Sequence, residues 1–124
     1  MMNFIFVVMG GALGTAARYG LGCWISGKWI HNFPLHTFLV NITGAFLLGL
    51  FNALFMDKLT LSPEMRLAMT AGFLGAFTTF SAFGYETIML IKDGHIGTAG
   101  IYTLASIVVG FLGVFLGMEL VRLF

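Results

Sequence analysis

Four long apolar stretches, separated by short polar segments, are the main pattern along the chain. They cover about residues 3–25, 36–56, 64–91 and 96–123. Each can cross a hydrocarbon core about 30 Å thick, which takes about 20 apolar residues in a helix. The segments between them contain the charged, aromatic, glycine and proline residues that are typical of loops at a membrane surface. The pattern predicts an all-α integral membrane protein with four transmembrane helices and both termini on one side.

The composition fits a single membrane domain over residues 1–124. Of these residues, 59% are hydrophobic and only 9% are charged, whereas about 25% of the residues in a soluble domain are charged. The chain lacks the polar surface that a water-soluble fold requires, so its predicted surroundings are the lipid bilayer. The formal net charge of +1 comes from scattered residues without a basic run, which argues against a nucleic-acid partner.

The basic residues favour neither orientation in the membrane. Lys58, Arg66 and Arg122 are predicted on the side of the termini, and Lys28 and Lys92 on the other side. Orientation follows an excess of Lys and Arg in short loops, and three residues against two give no clear excess. We therefore expect the chain to insert in both orientations, so that opposed copies can pair about an axis in the membrane plane.

No catalytic motif is present, and the chain is not expected to be an enzyme. It has no serine-type triad, zinc-protease motif, phosphate-binding loop or pair of intramembrane carboxylates, and the histidines His31, His36 and His95 fall at or near loops. The unusual residues are polar ones inside apolar spans. Each costs free energy unless it has a partner or lines a wet cavity.

Arg18 and Asn41 are the first two such residues. Arg18 lies within or near the end of the first span, where it would either attract anions or reach lipid headgroups and loop carbonyls. Asn41, in the second span, has an amide that both donates and accepts hydrogen bonds. It would either line an ion path or join two helices.

The third span concentrates glycine, threonine and serine over residues 72–84. This composition predicts a helix that is broken near its middle, where freed carbonyls can hold a cation and freed amides an anion. Phe80 and Phe83 share one helix face, and the electropositive edges of their rings could face an anion. Simple packing would explain the same spacing.

Further polar groups lie beyond the break and in the last span. Tyr102 and Ser106 are one turn apart and form a short polar track that leads toward Gly110. Glu86 lies one turn beyond Phe83, where it would pair with a cation or guard a pore mouth.

Glycines recur at helix-contact intervals in the first and last spans. Gly10 and Gly14 form one pair, and Gly110, Gly113 and Gly117 follow a similar spacing. Small residues at these intervals let helix backbones approach closely, either within one chain or between two copies. Because four helices enclose little room for an aqueous path, a transport function would require an oligomer.

Three segments together resemble the CrcB/Fluc family of fluoride channels, and the resemblance covers the whole chain. They are GGALGTAARY at residues 10–19, VNITG at 40–44 and GFLGAFTTFSAF at 72–83. The resemblance implies a fluoride-selective passive channel that exports cytoplasmic fluoride. It further implies two pores in an antiparallel, dual-topology homodimer with a structural sodium ion at its centre, in the bacterial inner membrane.

The resemblance also implies roles for single residues. The carbonyls of Gly75 and Thr78 from both subunits would hold the sodium, and Arg18 would attract anions near the vestibule. One departure is that the polar track that family members often continue along the last helix meets Gly110 and Val114 here. The residues implied to line the fluoride path are Asn41, Thr79, Phe80, Ser81, Phe83, Tyr102 and Ser106.

Two other functions compete with this interpretation. Small multidrug-type proton-coupled exporters are also short, four-helical and often dual-topology. Proteins of that class need a carboxylate deep in the first span, and none occurs here. A non-transporting subunit of a membrane assembly would account for the glycine faces. It would not account for the Thr-Thr-Phe-Ser segment at residues 78–81.

Overall fold

The computed structural model describes residues Met1–Phe124 and contains helices and short loops only. Four helical spans are long and apolar enough to cross a membrane: Met2–Ser26, Leu35–Asp57, Pro63–Lys92 and Ile96–Arg122. The prediction of an all-α protein with four membrane-spanning helices is confirmed. We call the first two α1 and α2 and the last α6, while the third span consists of several shorter elements.

The third span is interrupted in two ways. It begins with α3 (Pro63–Leu67), continues as a π-helical segment (Ala68–Leu74) and α4 (Gly75–Phe77), and resumes as α5 (Phe80–Lys92). Between α4 and α5 the backbone of residues 78 and 79 is extended, with ψ angles of 159° and 116°. The predicted break near the middle of the third helix is therefore confirmed. The π-helical segment has no counterpart in the sequence-based prediction.

Side-chain hydroxyls cap the N-termini of α3 and α5, the helices on either side of the break. At the start of α3 the Ser62 hydroxyl accepts a hydrogen bond from the Met65 N–H at 3.3 Å, and Pro63 occupies the first turn. At the start of α5 the Thr79 hydroxyl accepts from the Ala82 N–H at 3.2 Å. Both are N-caps, which supply acceptors to amides that have no partner within the helix.

The glycines of α1 pack against the π-helical segment of the same chain. A β-carbon at Gly10 would overlap the backbone of Ala68, and one at Gly14 would overlap the backbone of Phe73. Such close backbone contacts need small residues. The sequence left open whether these glycines join helices within one chain or between copies, and here they join helices within the chain.

Helices α2 and α6 also make close backbone contacts at glycines. A β-carbon at Gly49 would overlap the backbone of Val114, and one at Gly117 would overlap the backbone of Phe46. The two helices therefore lie in close contact, and they form one wall of the cavity described below.

The loops establish the two sides of the protein. The Asn32 amide, between α1 and α2, lies 3.2 Å from the Nε2 atom of His95, between α5 and α6. We call this the loop side and the opposite one the terminal side, because both termini lie there. Only 19 of the 124 residues are buried, and most large apolar side chains point outward, so lipid or other protein must cover them.

Candidate functional site

A groove of about 720 Å³ runs between α2, the broken third span and α6. Its lining combines amide and hydroxyl groups with glycines and aromatic rings, and it contains no charged residue. Seven of the residues that the resemblance implied for fluoride or sodium lie together in it. They are Asn41, Gly75, Thr78, Thr79, Phe80, Phe83 and Ser106.

Asn41 connects α2 to the break in the third span. Its Oδ1 accepts from the Thr79 N–H at 2.8 Å, and its Nδ2 donates to the Thr79 carbonyl at 3.0 Å. One turn along α2, Gly44 leaves the space that the Thr78 methyl group fills. The side-chain amide thus replaces the backbone partners that the break removes, while its second N–H has no partner in the chain and remains available as a donor.

The break frees the carbonyls of Gly75 and Thr78. In a continuous helix they would accept from the N–H groups of residues 79 and 82. Here the Thr79 N–H donates to Asn41 and the Ala82 N–H donates to the Thr79 hydroxyl. Both carbonyls therefore lose their helical donors, and carbonyl oxygens are ligands that suit a hard cation such as sodium.

Phe80 and Phe83 lie side by side in the groove, with ring centroids 5.9 Å apart. Their surroundings differ. Phe80 is 82% exposed, whereas Phe83 is half-buried against the ring of Tyr102, with centroids 5.1 Å apart. Ser81 is exposed outside the groove lining, and its hydroxyl lies 3.3 Å from that of Thr79.

Ser106 and Tyr102, one turn apart on α6, have different surroundings. The Ser106 hydroxyl is buried and has no hydrogen-bond partner, although the residue lines the groove. Tyr102 is fully buried outside the groove lining, and its hydroxyl donates to Glu86 at 2.8 Å. The predicted polar track is therefore divided into one unpaired and one satisfied hydroxyl.

Glu86 is the centre of a cluster that the sequence did not reveal. Its carboxylate accepts from the Thr37 hydroxyl at 2.6 Å and from the Tyr102 hydroxyl at 2.8 Å. The carboxylate thus joins α2, α5 and α6 through two hydroxyls, and no cation lies within ion-pair distance of it. The available signals were a lone carboxylate one turn beyond Phe83 and a threonine one turn before Asn41.

A second cavity, of about 320 Å³, lies on the loop side of this cluster. Glu86 and Thr37 line it together with Trp29, His31 and His36. The cluster therefore lies between the two cavities. On one side Tyr102 contacts Phe83, which lines the groove, and on the other side Glu86 and Thr37 line the smaller cavity near the loops.

Arg18 lines neither cavity. Its backbone carbonyl accepts from Nε2 of His36 at 3.0 Å, and the His36 ring occupies the space left by Gly22. The structure thus places the α1 backbone around Arg18 beside the start of α2, on the loop-side half of the protein. Its predicted role in attracting anions stays a prediction.

Comparison with known proteins gives a consistent result. Residues 5–118 match the family model described as CrcB-like protein, Camphor Resistance (CrcB). A protein of Acidobacterium capsulatum is 46% identical over 94% of this chain and 94% of its own length. Proteins of Methylobacillus flagellatus and Thermus thermophilus are each 44% identical, over 99% and 95% of this chain and 97% and 92% of their own lengths. All three are named fluoride-specific ion channel FluC.

These matches confirm the resemblance drawn from the three sequence segments. The relatives are named as ion channels, which confirms that this family is not one of enzymes. Together with the four apolar helices, the matches identify a multi-pass membrane protein. With a family match over most of its length, this chain belongs to the CrcB family.

Proposed function

We propose that this chain forms a fluoride-selective passive channel that exports cytoplasmic fluoride. The observation that carries the proposal is the unpaired Ser106 hydroxyl, buried in a groove that also holds the Asn41 amide and the exposed Phe80 ring. A buried hydroxyl without a partner costs free energy unless a ligand or a second molecule satisfies it. The names of the relatives support fluoride as the ion.

The donors in the groove suit a small, strongly hydrated anion. Fluoride must exchange its water for close hydrogen-bond donors, and a hydroxyl, an amide N–H and the edge of an aromatic ring provide them. Because none of these donors carries a full charge, the ion can be bound without being trapped, as conduction requires. A rigid, narrow set of donors would hold larger halides less well.

A second copy of the chain would complete the path. The groove is open along one side, where Phe80 is 82% exposed and Phe111 is 74% exposed. Water-filled grooves with such apolar rims are covered by protein in a membrane. The balanced basic residues on the two sides favour an antiparallel, dual-topology homodimer, and its twofold symmetry would give two equivalent pores.

The freed carbonyls of Gly75 and Thr78 are the proposed ligands of a structural sodium ion at the centre of this dimer. Both residues line the groove, and carbonyl oxygens are suitable ligands for a hard cation. When bound, the ion would supply a fixed positive charge that holds the two broken helices together. Asn41 takes the N–H that would otherwise pair with the Gly75 carbonyl, and the Thr79 hydroxyl takes the one that would pair with the Thr78 carbonyl.

Passive export explains why the chain needs no site for an energy source. Hydrogen fluoride crosses lipid as a neutral molecule and dissociates at neutral pH, so fluoride accumulates in the cytoplasm. A fluoride-selective channel lets the ion return down its electrochemical gradient. The bacterial inner membrane is the proposed location.

Efflux from loaded liposomes tests the proposal. Purified protein is reconstituted into vesicles that contain potassium fluoride and potassium chloride, and valinomycin starts the efflux by letting potassium leave. Fluoride and chloride electrodes follow the two ions. We expect fast fluoride release, chloride retention and no effect of an imposed proton gradient, while protein-free vesicles retain both ions.

Two results would contradict the channel. Efflux that requires a proton gradient would favour a small multidrug-type, proton-coupled exporter. Retention of fluoride by a correctly assembled dimer would favour a non-transporting assembly subunit. Crosslinking of copies with opposed orientations checks the dimer separately, so a failed assembly cannot be mistaken for a missing activity.

A further inference from the structure

The groove contains no charged side chain, so a cation that draws an anion into it would have to lie at its rim. A cleft next to a positive charge concentrates anions and raises their capture rate at low ionic strength. The groove reaches toward the terminal side through Thr70 and Val114. Three basic side chains lie on that side: Lys58, Arg66 and Arg122.

Arg122 is paired with a carboxylate of its own helix. Its Nη1 atom lies 2.6 Å from the Glu119 carboxylate, one turn earlier on α6. Lys58 is exposed at the end of α2, directly after Asp57. Arg122 therefore has a carboxylate partner, and the Lys58 side chain is exposed rather than buried.

Arg66 has no such partner. No carboxylate lies within ion-pair distance of its guanidinium, since the pair on α6 is the only salt bridge of the chain. Its Nε atom is buried and makes no hydrogen bond. Glu64, two residues away on the same helix, does not share its face. A buried guanidinium N–H without an acceptor is a costly arrangement that a bound anion would relieve.

The backbone of Arg66 lies beside the lining of the groove. The hydroxyl of Thr70, which lines the groove, donates to the Arg66 carbonyl at 2.8 Å. Residues four apart lie one above the other on a helix face. Arg66 therefore lies one turn beyond the lining, on its terminal side, at the point where the span changes from α-helix to π-helix.

We propose that Arg66 is a cation that captures fluoride at the rim of the groove. This inference rests on the proposed channel function. The Arg66 guanidinium is permanently charged and offers N–H donors to a hard anion. It would act before the neutral donors of Asn41 and Ser106 and raise the local fluoride concentration, without contributing to the selective part of the path.

The first test compares Arg66→Gln, Arg66→Lys and Lys58→Gln in the liposome assay. For Arg66→Gln we expect the half-saturating fluoride concentration to rise about fivefold at about 20 mM salt, and the difference to shrink at about 300 mM salt. The saturating efflux rate should stay close to that of the unchanged protein. Arg66→Lys keeps the charge and should behave nearly as the unchanged protein does. Lys58→Gln removes one charge from the same side and should have little effect.

A second test separates charge from folding. Arg66→Cys is made in a Cys23→Ser background, because Cys23 is the only cysteine of the chain. A cationic methanethiosulfonate reagent should restore fluoride capture at low salt, and an anionic reagent should lower it further. A purely structural role for Arg66 would make the two reagents equivalent.

Several outcomes would overturn the proposal. In Arg66→Gln, these are an unchanged half-saturating fluoride concentration, or an efflux rate that falls by the same factor at low and at saturating fluoride. In Arg66→Cys, it is an equal effect of the cationic and the anionic reagent. If the unchanged protein released no fluoride, the channel function itself would fail, and that result is distinct from all three.

Discussion

Two polar regions lie next to each other between the membrane-spanning helices and differ in how their polar groups are hydrogen-bonded. On the loop side, the carboxylate of Glu86 is bound by two hydroxyls, those of Thr37 and Tyr102. In the groove, the Ser106 hydroxyl has no partner and the Asn41 amide keeps one free N–H. The polar groups of the first region are hydrogen-bonded within the chain, while the second region contains donors that have no partner in the chain.

The difference teaches how a membrane protein separates stability from transport. A satisfied cluster stabilises three helices, because each hydroxyl that bonds a carboxylate contributes about 1.5–3 kcal/mol. Unsatisfied donors lower stability, and they are tolerated where an ion replaces the missing partner. Substitutions in the two regions should therefore have different effects on efflux and on unfolding.

The largest expected effect is that of Asn41→Asp. The carboxylate would face the Thr79 carbonyl at the position of a donor that lies 3.0 Å away, and it would place a negative charge in an anion groove. An unpaired buried charge costs about 3–5 kcal/mol, so efflux should fall at least about a hundredfold. The liposome assay measures the rate.

Asn52→Asp is the matched control. Asn52 is exposed on the same helix, and its amide donates to the Leu48 carbonyl at 2.9 Å. Near-normal efflux is expected for this variant, because Asn52 does not line the groove. Unchanged efflux in Asn41→Asp, with the dimer intact, would remove Asn41 from the path.

Phe80→Ile should have the second-largest effect and reduce efflux strongly. The substitution keeps an apolar side chain at a position that is 82% exposed within one chain, but it removes the electropositive ring edge. Phe115→Ile is the control, because Phe115 is 56% exposed outside the groove. Equal efflux in both variants would mean that the Phe80 ring serves only for packing.

Ser106→Ala should reduce efflux about three- to tenfold and leave unfolding unchanged or slightly more difficult. Its hydroxyl makes no hydrogen bond in the chain, so its removal abolishes no stabilising contact, while fluoride loses one neutral donor worth about 1 kcal/mol. Thermal unfolding in detergent and liposome efflux measure the two effects. A clear loss of stability without a change in efflux would show that Ser106 bonds the second copy instead.

Tyr102→Phe should have the smallest effect on efflux and the opposite effect on stability. It removes the 2.8 Å hydrogen bond to Glu86, which should lower the unfolding free energy by about 1–3 kcal/mol. Efflux should change less than in Ser106→Ala. A greater loss of efflux would extend the ion path through the Glu86 cluster to the loop-side cavity, and would support the predicted place of Tyr102 in that path.

Much of the candidate site could be predicted from the sequence because its residues lie in short segments with unusual composition. Residues 72–84 indicated a broken helix, and the extended backbone occurs at residues 78 and 79. Asn41 was identified as a polar residue inside an apolar span. Its alternative role in joining two helices also holds, since its amide bonds the Thr79 backbone.

Contacts between distant segments were not predictable in this way. Glu86 and Thr37 are 49 residues apart, and Glu86 and Tyr102 are 16 apart, so only the packing of α2, α5 and α6 brings them together. The close fit of Gly10 and Gly14 against the π-helical segment was equally hidden, because it joins residues that are far apart in the sequence. The single-domain assignment, the sodium site and the dual-topology dimer stay predictions.

The sequence by itself determined the number of spans, the place of the break and the family, because hydrophobic length and local composition act over a few residues at a time. The tertiary structure decided which polar groups are satisfied and which stay open. Ser106 and Tyr102 are one helical turn apart and carry the same kind of group, but only Tyr102 lies within reach of a carboxylate. Hydrogen bonds depend on distances of about 3 Å between atoms, and such distances are set by helix packing rather than by position along the chain.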